Sequence, residues 1–137
     1  MMEKLTLSTV KSMIEQGEGK AQELGVPMVI TVVDGGGNLI ATHRMDDALL
    51  VSVDLSLNKA WTSVAFKQPT AALAETCANG GELFGINTSN SGRVIIFGGG
   101  IPLVSGNEII GAVGVSGGSV SQDIEVAEAV ADALVMA

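Results

Sequence analysis

Gly114, Ser116 and Gly118 stand as G-x-S-x-G, the spacing in which a hydrolase presents a nucleophilic serine on a sharp turn between a strand and a helix. Such a serine needs an imidazole to accept its proton and an acid to orient that imidazole. The chain has one histidine, His43, and it lies upstream of Ser116, against the order that the motif carries elsewhere. A triad of His43, Asp54 and Ser116 is not forbidden by geometry, but a pattern of this length recurs by accident among 18 glycines. Ser116 is therefore expected to be a turn residue after the last core strand, lining a pocket at most.

The stretch "THRMDD", residues 42 to 47, holds more chemistry. His43 lies in an alternating run and faces either solvent or a pocket. One imidazole suffices as axial ligand to a porphyrin iron, and Arg44 and Lys59 could then pair with propionates or another carboxylate. Ordinary ion pairing of these bases with Asp46, Asp47 or Asp54 is the plainer alternative. A further reading makes Lys59 and Asp46 a proton-transfer pair, because a desolvated lysine titrates below its usual range. Metal clusters have little support: one His and one Cys at distant positions offer no paired ligand spacing. Phosphate loops fail too, since neither G-x-x-x-x-G-K-[ST] nor G-x-G-x-x-G occurs.

With 137 residues the length suits one domain, residues 1–137, large enough to fold without disulfides. The net charge of −8 and dispersed bases disfavour nucleic acid. No apolar run approaches the roughly 18 residues of a membrane span. A lone Cys77 and a start, "MMEKLTLSTV", without an apolar signal core point to the cytoplasm. At 47% hydrophobic residues, the chain carries more apolar surface than a small monomer hides, so sister subunits are expected to cover part of it.

The elements that must position these residues follow from periodicity. A helix is expected from about Leu7 to Leu24, buried through Val10, Ile14, Gly17, Ala21 and Leu24 and stopped by Gly25 and Pro27. "MVITVVDGGGNLIATHRM" reads as a hairpin, and residues 51 to 66 as a helix buried through Val53, Leu57, Ala60 and Val64. Pro69 and Thr70 open a shorter helix, and "CANGGELFGINTSNSG" is loop. Three strands are then expected, Arg93 to Phe97, Ile101 to Ser105 and Glu108 to Val115, the last two joined by Gly106 and Asn107. Ser119 and Gln122 form a capping box for a final helix buried through Ile124, Ala127, Ala131 and Leu134. The order α-ββ-αα-βββ-α with short turns gives an α+β fold around a five-stranded antiparallel sheet.

The segments "VVDGGGNLIATHRMDDA", "SLNKAWTSVAFKQPTAAL", "FGGGIPL" and "IIGAVGVSGGSVSQDIEVAEA", in that order, resemble the GlcG/HbpS-like family. That family includes stand-alone proteins and the C-terminal domain of PduO-type cobalamin adenosyltransferases. The resemblance covers nearly the whole chain. It implies a profilin-like five-stranded antiparallel sheet flanked by helices, assembly from dimers to octamers, haem binding in some members, and a setting in glycolate, glycerol or propanediol use. Its recurrent polar positions fall on Asp34, Arg44, Asp46, Lys59, Ser116 and Asp123. The chain departs from many relatives in carrying Asp47 where they have glycine. Its first helix contains no histidine, which leaves His43, or a non-histidine group, as the iron ligand.

The expectation is an oligomeric protein that binds a small molecule, haem or another tetrapyrrole, through His43, Arg44, Asp46, Lys59 and Ser116, with no catalytic residue assigned. A small-metabolite enzyme using Lys59 and Asp46, and a scaffold subunit for partner enzymes, are the alternatives.

Overall fold

The computed structural model of the protein describes residues 5–136. Helix α1 (Leu7–Leu24) has the span its periodicity predicts. The Thr6 hydroxyl accepts from the Thr9 N–H at 3.1 Å and caps its start. At its end Gly25 adopts φ 72°, and its N–H reaches back to the carbonyls of Ala21 and Gln22. Val10, Met13, Ile14, Gly17 and Ala21 are buried. Gly17 marks the crossing with the last helix, because a Cβ there would run into Val130 and Ile30.

Strands β1 (Val29–Asp34) and β2 (Leu39–Arg44) make the expected hairpin. Asp34 fixes its turn, accepting from the N–H groups of Gly36 and Asn38 at 2.9 and 3.0 Å. Strands β3 (Gly100–Ser105) and β4 (Glu108–Ser116) make a second hairpin, and β1 pairs with β4. The sheet is antiparallel with order β2-β1-β4-β3. It has four strands, not the expected five. The segment from Arg93 to Phe97 is not a strand; two of its backbone groups bond to α2 (Val51–Phe66) instead of to a neighbouring strand. Thr62 donates its hydroxyl to the Arg93 carbonyl at 3.3 Å and accepts from the Ile95 N–H at 3.1 Å.

Side chains of the sheet alternate between two faces. Ile30, Val32, Leu103, Val113 and Val115 share one core with α1 and α4 (Val120–Met136). Val33 and Ala112 face the other way, against Ala60 of α2. Helices therefore cover both faces of an α+β fold. The capping box at the start of α4 forms as predicted: Gln122 N–H donates to the Ser119 hydroxyl at 3.2 Å, and Ser119 N–H to Gln122 Oε1 at 3.0 Å.

The buried face of α2 differs from the one its hydropathy predicts. Val53 is 39% exposed, and the buried residues are Ser52, Ser56, Lys59, Ala60, Thr62 and Ser63. Backbone distance is the reason. A Cβ at Gly114 would collide with the Ser56 carbonyl, and one at Gly100 with the Lys59 carbonyl. At these crossings short hydroxyls fill the gap and bond across it, and the long side chain of Lys59 is buried too, reaching Val115 and Asp123. Thr31 on β1 bonds to Ser56 at 2.8 Å and to Thr42 on β2 at 2.6 Å.

The shorter helix is a 3-10 turn (Thr70–Ala72) running into α3 (Leu73–Thr76), and Thr70 accepts from the Gly100 N–H at 2.9 Å. Residues 77 to 92 are irregular apart from two short 3-10 turns. Among the described residues, no helix is long and apolar enough to cross a membrane.

Candidate functional site

Strand alternation decides where the candidate residues go. Thr42 points toward α2, so His43 points to the opposite face, toward α1. There its Nδ1 lies 2.5 Å from Glu18 Oε1. An ionised carboxylate only accepts, so the contact assigns a proton to Nδ1 and turns Nε2 away from Glu18. Both side chains reach solvent, at 39% and 28% exposure, enough for a ligand to approach.

His43 and Glu18 belong to the wall of a cleft of about 580 Å³, completed by Gln22, Arg44, Met45 and Asp46. Glu18 and Gln22 are one helical turn apart on α1 and share a face. Met45 closes the exit of β2: its N–H donates to the Met28 carbonyl at 3.0 Å, while its sulfur accepts from the Met28 N–H at 3.4 Å. Arg44 donates to the Ala48 carbonyl at 3.4 Å across the following turn. A cation, an imidazole and two carboxylates thus border one opening.

Lys59 and Ser116 lie elsewhere. Lys59 is fully buried and donates to Asp123 Oδ2 at 3.0 Å and to the Val115 carbonyl at 2.8 Å. The ring of Phe97 covers the ammonium at 5.0 Å. Asp123 uses its other oxygen to accept from the Gly118 N–H at 2.8 Å. The pair ties α2 to the start of α4. Desolvation lowers the pKa of Lys59 and raises that of Asp123, opposed in each case by attraction to the partner. Lys59 and Asp46 therefore form no proton-transfer pair: the carboxylate beside Lys59 is Asp123, and Asp46 borders the cleft.

Ser116 closes β4 itself, opposite Val29, at 4% exposure, and donates to the Ser52 hydroxyl at 3.0 Å. His43 is on the other face, so the G-x-S-x-G stretch has no imidazole partner. Of the five residues read from the sequence, the cleft gathers His43, Arg44 and Asp46. It adds Glu18, Gln22 and Met45, which no motif marks. Among the described residues, no group of three His, Cys, Asp or Glu side chains could hold a metal ion.

A four-stranded antiparallel sheet covered by helices on both faces, with a polar cleft beside its β2 edge, defines a small α+β protein. Residues 5–132 match the family described as haem degrading protein HbpS-like. The chain belongs to that family. A 15.0 kDa protein from the dhaT-dhaS intergenic region of Citrobacter freundii is 45% identical over 93% of this chain and 90% of its own length. The corrinoid adenosyltransferase PduO of Citrobacter freundii is 46% identical over 80% of this chain, which spans only 32% of that protein. A crystal structure described as a PduOC:heme complex superposes with a TM-score of 0.92 at 39% identity, covering 96% of this chain and 95% of that one.

Proposed function

We propose that the protein binds haem or a related tetrapyrrole in the cleft between α1 and β2, with His43 as iron ligand. The observation that carries this reading is the placement of that imidazole: Glu18 engages its Nδ1, and His43 and Arg44 both line the cleft. The donor set suits the group. A neutral imidazole is a good ligand for iron, and a guanidinium pairs well with a propionate. When bound, haem supplies a redox-active iron. The chain's own residues hold it: His43 donates a lone pair, Arg44 balances peripheral negative charge, and Met45 offers an apolar contact.

The heme complex of PduOC and the HbpS-like family description support this assignment. The adenosyltransferase activity of PduO stays with that longer protein. An accessory role in diol, glycerol or glycolate metabolism, in the cytoplasm, is part of the proposal; the likeness to PduO and to the protein of the dhaT-dhaS region is in keeping with it. A homo-oligomer, between dimer and octamer, is part of the proposal. It is supported by Leu49, Leu50 and Val51, which stand 59%, 84% and 58% exposed on consecutive positions.

Titration of the purified protein with haemin, followed by absorbance, tests the assignment, with a cobalamin run alongside. The expected result is a saturable Soret shift that H43A loses. No shift with either ligand, or an unchanged one in H43A, would overturn the site.

A further inference from the structure

His43 and Glu18 come from elements that are each fixed independently. The backbone of His43 is held in register opposite Ile30 of the central strand β1. Glu18 follows Gly17, the point where α1 is pressed against Val130 and Ile30 with no room for a Cβ. The short contact between carboxylate and imidazole is therefore imposed from both sides, and it spans a separation of 25 residues.

A hydrogen bond of this kind has two effects on an imidazole. It selects the tautomer with the proton on Nδ1 and stops the ring from turning, so the Nε2 lone pair has one direction. It also draws the Nδ1 proton toward the carboxylate, which raises electron density on the ring and makes Nε2 the stronger donor. A stronger donor stabilises ferric iron more than ferrous.

We propose that Glu18 is a positioning residue for the iron ligand, holding the His43 ring with Nε2 free for the cleft and biasing a bound haem toward the ferric state. This rests on the haem reading of the cleft given above. Glu18 itself touches no ligand in this role. It acts through His43.

Two substitutions separate orientation from electronic effect. E18Q keeps a side-chain carbonyl that can still accept from Nδ1–H, but without the negative charge; E18A removes the partner. Each is loaded with haemin beside the native protein and H43A. The readouts are haemin affinity, the iron–histidine stretching frequency of the ferrous form by resonance Raman, and the midpoint potential by spectroelectrochemistry. E18Q is expected to bind haemin nearly as the native protein does, with a lower stretching frequency and a more positive potential. E18A is expected to show the same two shifts and to lose about 10- to 100-fold in affinity.

A merely structural Glu18 would leave frequency and potential unchanged once haem is bound. That result in both variants, with H43A unable to bind, would overturn the positioning role and leave the haem site standing. Native-like binding by H43A would remove both.

Discussion

At the residue scale, the buried ion pair between Lys59 and Asp123 is where stability is most exposed to a single change. Removing one partner of a buried pair leaves the other charged and unsolvated, at a cost of about 3–5 kcal/mol. K59M is expected to lose that much in urea denaturation, and K59M/D123L to recover most of it. The pair also sets a pH dependence. Asp123 keeps its proton in the fold at pH values above 3.8 where the unfolded chain has lost it, so rising pH there lowers stability. Lys59 loses its proton in the fold below 10.5, where the unfolded chain still holds it, so rising pH toward that limit restores stability. The contribution dips between those limits, and urea midpoints of the double variant should vary less with pH across them. Part of this chemistry was legible in the sequence. His43, Arg44 and Asp46 meet because they are near neighbours on one strand and its exit. Glu18 with His43, and Lys59 with Asp123, were not, because they pair across 25 and 64 residues.

At the element scale, the helices and hairpins follow their caps and turn residues, while the α2 interface does not follow hydropathy. Val53, Leu57 and Val64 predict an apolar face, but Gly100 and Gly114 set a close approach, and hydroxyls with Lys59 and Ala60 make the buried face while Leu57 and Val64 are only partly buried beside it. The same helix bears on the missing strand, since Thr62 bonds two backbone groups, the Arg93 carbonyl and the Ile95 N–H, that a fifth strand would have paired. G114A is therefore expected to destabilise the protein by about 1–3 kcal/mol or more through overpacking of α2 on β4. Thermal denaturation by circular dichroism would detect it. Gly19 is the contrasting case. It is exposed on α1, where a methyl group would meet nothing within 4 Å, so G19A should raise stability by up to about 1 kcal/mol. Equal effects of the two substitutions would contradict this account of the interface.

At the scale of the whole molecule, the apolar surplus of the sequence has a location. Leu49, Leu50 and Val51 are exposed where α2 begins. Multi-angle light scattering should give a mass above that of one chain, and L50K should lower it. A native monomer would refute the proposed assembly. With a net charge of −8 on each chain, any assembly should tighten as salt screens the repulsion.

His43 belongs to an outermost strand, whereas the two central strands carry most of the shared core. A border position of this kind is forgiving: among the described residues one flank has no neighbouring strand to displace, so replacements there disturb less of the interior packing. The fold thus separates what must stay constant from what can be revised. A lineage could exchange the residue at the cleft, and with it the preferred guest, without renegotiating how the protein folds.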